Sequence, residues 1–357
     1  MKKLLSILLI AVMIFSVVGC GKDKTDKKDD AAEEKKEEAA DVATEEKAED
    51  KAEDKVEEKA EDAEPASDGE KVKVAFICAD MANESQAFSS REFEKYGPDY
   101  GFEVTVLDAK GMTQNESQLV NNCISQGMKA IFLNPNDINA IVPSVKDAQE
   151  AGIVVGLFSA DLAEENHQYR SFFCGVDDTM AGEEVAKAFI NNFPDGAKIV
   201  EIGGQSGHDA AIKRHDGFDK GIAGSNIEVL EFRSPTQWAA DQAMTIMEDM
   251  ITSYGDDIEG VFCHWDIGAT GCIEALEAAG MMDDIFLVGV DGNKAGFGQV
   301  KAGLQDVTIS QNFTNMAKKS MEVARAVIDG EDFEEFNFIP LDVITQDNID
   351  EFPEPEW

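Results

Sequence analysis

Positive charge is scarce in this chain: 31 Lys and Arg face 72 Asp and Glu, leaving a net charge of −41 with the four histidines neutral. Nucleic-acid backbones are held by clustered Lys and Arg, and here those residues are few and dispersed, which excludes nucleic acid as a partner. Cysteine is also sparse. After Cys20 there remain Cys78, Cys123, Cys174, Cys263 and Cys272, an odd number whose spacings fit neither a zinc motif nor a CxxC redox pair. Three of them, Cys78, Cys174 and Cys263, sit in apolar runs where a small thiol packs well, so all five read as core. Catalytic signatures are missing too. There is no GxSxG elbow, no Walker loop and no HExxH, and the carboxylates that end strands have no nucleophile or ligand cluster beside them. Gly203, Gly204 and Gly207 lack the Lys-Ser/Thr of a phosphate loop and read as a tight turn before a helix. No catalysis, cofactor or metal is expected.

The first twenty residues are of a different character. Lys2 and Lys3 precede an apolar stretch over residues 7–15 that is too short to span a bilayer, the pattern of an export signal. It ends in Val17-Val18-Gly19-Cys20, which resembles the lipobox of bacterial lipoproteins. That resemblance implies that Cys20 carries lipid such as palmitate, each buried CH2 adding about 0.8 kcal/mol of membrane affinity. Residues 21–70 then hold 10 Lys and 22 acidic residues, no aromatic, and Val42 and Val56 as the only large apolar side chains. Such a stretch cannot offset ordering entropy by burial, so it reads as a solvated acidic tether.

The remaining 287 residues carry 19 basic and 50 acidic side chains and have length for one large domain or two lobes. Short apolar runs alternate with amphipathic stretches. Residues 72–78, 102–107, 130–133, 154–158, 198–202, 228–232, 260–263, 286–290 and 307–310 read as strands, and 88–96 as a helix after a polar loop over 80–86. Continuous Val, Ile, Leu and Phe mark strands buried on both faces, as in a parallel sheet covered by helices. The fold class is α/β, doubly wound. Ligands of such sheets lie beyond the carboxyl ends of the strands, which picks out the polar residues after each apolar run. These include Asn83, Ser85, Gln86, Asn134, Ser159, Asp161, His208, Trp238, Trp265, Asp291 and Gln311. Amides and carboxylates suit vicinal hydroxyls, and flat aromatic faces suit the C–H patches of a sugar ring.

A family resemblance covers residues 71–348. It is carried by Val72-Lys73-Val74-Ala75-Phe76-Ile77, by Gly127-Met128-Lys129-Ala130-Ile131-Phe132-Leu133-Asn134-Pro135-Asn136-Asp137, by Ala151-Gly152-Ile153-Val154-Val155, and by Val288-Gly289-Val290-Asp291-Gly292. The chain resembles the sugar-binding proteins of ABC importers in the ribose and galactose group, of the periplasmic binding protein type 1 fold. The resemblance implies two lobes joined by a three-strand hinge. One lobe takes residues 71–174 and 312–342, the other 175–311 and 343–357, with crossings near Cys174-Gly175, Gln311-Asn312 and 341–344. Family ligand positions fall on Asn83, Asn134, Asp291 and Gln311, and on Trp238 where an aromatic is expected. Ribose-type proteins place two Phe where this chain has Ser85 and Gln86, and an Asp-Arg pair where it has Ser159 and Ala160, so the ribose pocket is not kept. The spacing of His208 and Arg214 is similar to the glucose and galactose type, and Trp265, where Asn is usual, offers a second stacking face.

Plainer readings stand beside these. Asp291 before Gly292 is also a turn former, Trp238 an interlobe packing residue, His208 and Arg214 surface residues, and Asp161 a rim residue. The expected function is capture of a monosaccharide or polyol outside the cell by a monomer, lipid-anchored through Cys20, and delivery to an ABC permease in the membrane. Alternatives are a sensor that presents a sugar-like signal to a membrane receptor, and a surface carbohydrate-active enzyme with a paired acid and nucleophile.

Overall fold

The computed structural model describes residues 71–357. The expected signal, the lipidated Cys20 and the acidic tether lie outside the described residues. Twelve strands and nine α-helices follow one another in the described part, with short 3-10 turns between them. The first half runs β1 (Val72–Cys78), α1 (Glu84–Tyr96), β2 (Phe102–Asp108), α2 (Thr113–Ser125), β3 (Ala130–Leu133), α3 (Val142–Glu150), β4 (Val154–Phe158) and β5 (Phe172–Gly175). The second runs α4 (Asp178–Asn192), β6 (Ala197–Ile202), α5 (Asp209–Ile222), β7 (Ile227–Arg233), α6 (Ala240–Tyr254), β8 (Gly260–Cys263), α7 (Asp266–Ala279), β9 (Phe286–Asp291), α8 (Lys294–Ala302) and β10 (Val307–Ser310). Then come α9 (Phe313–Asp329), β11 (Phe336–Phe338) and β12 (Asp342–Thr345).

The strands form two six-stranded sheets, ordered β11-β5-β4-β3-β1-β2 and β12-β10-β9-β8-β6-β7. All pairs in the first are parallel, and in the second only β10 with β12 is antiparallel. Two α/β lobes result, each with helices on both faces of its sheet. The chain passes between them after β5, between β10 and α9, and between β11 and β12. Runs such as Val74 to Cys78 and Ala130 to Leu133 are wholly buried, which is why they read as continuous apolar segments rather than alternating ones. Phe76, Phe93, Phe132 and Phe158 are almost fully buried on one face of the first sheet, with Phe76 and Phe93 stacked at 4.4 Å. Each such ring removed from water contributes about 1.5–3 kcal/mol. All five cysteines are buried and unpaired.

The structure departs from the sequence reading at α1. The helix starts at Glu84, not at residue 88, because Asn83 in extended backbone accepts from Ser85 N and caps it. Ser85 and Gln86, expected in a loop, therefore belong to the first helical turn. β5, β11 and β12 are not among the nine strands read from apolar runs: β11 and β12 are short and only partly buried, and β5 is expected only as a crossing between lobes.

Candidate functional site

The carboxyl ends of the two sheets face each other across a cleft, and the lining residues enclose about 290 Å³. That is near the lower bound of about 300–1,000 Å³ for small-molecule pockets, room for one small ring. From the first lobe come Asn83, Ser85 and Gln86 at the start of α1, Asn134 and Asn136 after β3, and Ser159 after β4. Several of these are fixed locally. The Asn83 Oδ1 accepts from Ser85 N at 2.9 Å and Ser85 Oγ at 2.7 Å, and Gln86 Oε1 accepts from Ala79 N at 3.3 Å. Asn136 is held from below: its backbone N donates to the buried carboxyl of Glu116 on α2 at 3.2 Å, and its Nδ2 to Ala79 O at 3.3 Å. Burial pushes the Glu116 carboxyl up to about 8, so the loop after β3 rests on a group that resists ionisation.

The second lobe contributes Gln205, His208 and Arg214, Trp238, Trp265, and Asp291 with Asn293. Gln311 follows β10 at a crossing. Arg214, 3% exposed, donates from Nε to Asp178 Oδ1 at 2.8 Å and from Nη1 to His264 O, while its guanidinium lies 5.9 Å from the Trp238 ring centroid. The reading of Arg214 and His208 as surface residues is thereby overturned: both are buried. His208 caps α5, and burial pushes its imidazole down to about 3, so it is neutral near pH 7. Trp238 lies so close over Gly204 that a Cβ there would be 2.0 Å from the ring. That glycine is dictated by the tryptophan. Trp265 is 4% exposed and meets Trp238 edge-on at 5.4 Å, so it offers little open face for stacking.

Asp291 is the most constrained of the set. Its φ of 132° is unusual for a residue with a side chain. Its Oδ1 accepts from Gln311 Nε2 at 2.9 Å. Beneath it the buried Asp266 accepts from Gly292 N, Gln305 Nε2 and Thr308 Oγ1 at 2.7–2.8 Å, fixing the turn. Burial first and the Asp266 charge second push the Asp291 carboxyl up to about 8, with Arg214 opposing. Ser159 is likewise left-handed at φ 62°. Two of the three described non-glycine residues with positive φ thus line the cleft, in keeping with strain gathered at binding sites.

Contacts already run between the lobes. His208 Nε2 is 3.4 Å from Asn134 Oδ1, Gln205 Nε2 donates to Asn136 O at 3.2 Å, and Asp161 N donates to Asp209 Oδ2 at 2.9 Å. Three buried polar atoms of the lining have no partner: Trp265 Nε1, Asn293 Nδ2 and Gln311 Oε1.

Eleven of the twelve residues singled out from sequence as ligand candidates line this cleft. Asp161 does not. Its carboxylate is taken by Arg170, with Nε–Oδ1 at 2.6 Å and Nη2–Oδ2 at 2.9 Å, and lies 3.3 Å from His167. Asn136, Gln205, Asn293, Phe313 and Trp357 line the cleft and were missed. Asn136 and Asn293 each stand two residues after a singled-out strand-end residue, Asn134 and Asp291, and were passed over for those neighbours. Trp357 had no sequence signal, lying beyond the last legible strand.

Comparison with known proteins decides the family. A model of the periplasmic binding protein domain matches residues 74–332. The chain belongs to that family. The ribose import binding protein RbsB of Bacillus subtilis is 28% identical over 287 residues, covering 80% of this chain and 91% of that protein. The protein of the same name from Salmonella typhimurium is 30% identical, over 67% of this chain and 78% of its own length. Among solved structures, an ABC transporter solute-binding protein from Bacillus halodurans with bound myo-inositol superposes with a TM-score of 0.73 at 27% identity, covering 80% of this chain and 98% of that one. The family and these relatives are binding proteins, so the alternative of a carbohydrate-active enzyme is set aside.

Proposed function

We propose that the protein captures one neutral monosaccharide or polyol between its lobes and presents the closed form to an ABC permease. One observation carries this reading. In a single small cleft, two N–H donors and one amide oxygen without protein partners, on Trp265, Asn293 and Gln311, surround Asp291 and the Trp238 ring. Alternating hydroxyls and C–H faces satisfy such a set; an apolar ligand would leave all three polar atoms buried and unpaired, at about 1–3 kcal/mol each. Charge argues the same way. Arg214 is the one Lys or Arg among the described lining residues, and its charge is already paired with the buried Asp178, which disfavours a carboxylate or phosphate ligand.

Asn83, Asn134, Trp238, Asp291 and Gln311 make the principal contacts in this proposal, with Ser85, Gln86, Ser159, His208, Arg214 and Trp265 completing the wall. Lobes of 71–174 with 312–342, and 175–311 with 343–357, close about the three crossings. A ligand touching both lobes binds the closed form better than the open one and shifts the hinge by that difference. The import proteins and the transporter component among the relatives support a permease as the reader of the closed shape. Lipid on Cys20 and the acidic residues 21–70 would hold the monomer outside the cell membrane.

The test is a thermal-shift and tryptophan-fluorescence screen of the full chain against pentoses, hexoses and polyols, with amino acids and sugar phosphates as controls. A ligand at 100 times its Kd adds about 2.7 kcal/mol of stability. The expected result is a saturable response to one neutral polyhydroxy compound, lost in Asp291→Ala. A response confined to amino acids or to phosphates would overturn the reading.

A further inference from the structure

Residue Trp357 belongs to one lobe by its backbone and to the other by its ring. After β12 the chain makes a 3-10 turn at Ile349–Glu351, and Ile349 and Phe352 pack with Phe297, Val300 and Ile344 of the second lobe. The strap that follows is tied to the start of α8: Lys294 N donates to Trp357 O, and Lys294 Nζ donates to Glu356 O at 3.1 Å. Lys294 N is one of the amides that the first turn of a helix leaves without an intrahelical acceptor, so the strap satisfies a donor that needs one. The indole, by contrast, stacks on Phe88 of α1 at 5.9 Å and 18°, and meets Phe313 of α9 edge-on at 4.9 Å and 85°. Both of those rings belong to the core of the first lobe, and Trp357 packs against that core. The same side chain lines the ligand cleft together with Phe313.

From this geometry we propose that Trp357 is a latch across the cleft mouth and a specificity-determining wall of it. Opening the lobes separates the indole from Phe88 and Phe313 or detaches the strap from Lys294, so the residue resists release of whatever the cleft holds. Because the ring also closes one side of a small cavity, it sets an upper size: a free monosaccharide or polyol fits, and a substituent on the ring meets the indole. This second part rests on the sugar reading above; the latch does not.

Two measurements on the full chain separate these. The first needs no ligand. Hydrogen exchange is compared between the wild type, Trp357→Ala and Trp357→Phe over residues 83–90 and 205–212, which carry contacts of the closed mouth. At least threefold faster exchange in Trp357→Ala, largely restored in Trp357→Phe, is expected, whereas equal exchange in all three would overturn the latch. The second uses D-ribose, D-xylose, D-galactose, xylitol and myo-inositol as probes, with the methyl glycoside of whichever sugar binds. Trp357→Ala should raise koff for the bound probe at least tenfold, change kon less than threefold, and narrow the preference for the free sugar over its methyl glycoside. An unchanged koff and an unchanged preference would remove the specificity role. If the wild type binds none of the probes, the sugar reading fails while the exchange experiment still decides the latch.

Discussion

Asp291 carries two loads that a substitution can separate. Its carboxyl is held up to about 8 by burial and by the neighbouring Asp266, against an ordinary value of 3.8. Between those two pH values the folded, ligand-free protein binds a proton that the unfolded chain releases, so this group's contribution is full below the unfolded value and is lost as pH rises through the folded one. Wild-type stability is therefore expected to fall between pH 5 and pH 8 by more than that of Asp291→Asn. Thermal melts of the two proteins at both pH values measure it, and parallel pH slopes would count against a raised Asp291. At this scale the sequence was informative where a polar residue directly ended an apolar run, as with Asn134, Asp291 and Gln311. It misled at Asp161, which has the same local signature but meets Arg170, nine residues on in sequence, in a buried ion pair. Local sequence shows which residues end a strand, not which partner has already claimed their charge.

Helix starts do much of the positioning, because the residue that caps a helix also points into the space beyond the sheet. Asn83 caps α1, His208 caps α5 and Asn293 caps α8, and all three line the cleft. Asn312 caps α9 by accepting from Asn315 N and is absent from the lining, which makes it the control. Asn312→Ala should cost about 0.5–2 kcal/mol in denaturant unfolding with ligand affinity unchanged; a loss of affinity would mean that α9 transmits its start position to the site. Glu116→Ala tests the buried support under the loop after β3. Removing that acceptor leaves Asn136 N–H unpaired and should cost about 1–3 kcal/mol, with weaker binding because Asn134 and Asn136 share the loop. Elements were the most legible level of this fold. Nine apolar runs announced nine strands, most of them because burial on both faces leaves no room for polar residues; β2 and β7, at the sheet edges, are only partly buried. β11 and β12 gave no such run, β5 was passed over although its apolar residues are buried, and the start of α1 was placed four residues late because the Asn83 cap precedes a polar first turn rather than an apolar one.

The whole molecule is two sheets whose carboxyl ends meet, and its cleft depends on residues up to 278 positions apart, from Ala79 to Trp357. Two lobes with mostly parallel sheets followed from the family resemblance, but the strand order within each sheet did not, nor did the path of residues 352–357 back to the cleft, because nothing in a Pro- and Glu-rich segment says which surface it will cross. All three tryptophans of the chain line that one cavity, so ligand capture should alter the emission of every indole present, and Trp238→Phe should remove the larger part of the change if Trp238 stacks on the ligand. The cysteines are distributed by lobe in a different sense. Cys78, Cys123 and Cys174 are sealed in the first lobe and Cys263 and Cys272 in the second, all unpaired, and burial pushes Cys78 and Cys174 up to about 12 and Cys123 up to about 11. A thiol attacks or is alkylated through its thiolate, so these buried cysteines react slowly while the fold persists. Each lobe thus carries a silent clock: brief alkylation pulses read by mass would record which half of the protein unfolds first, and how often, without any residue being changed.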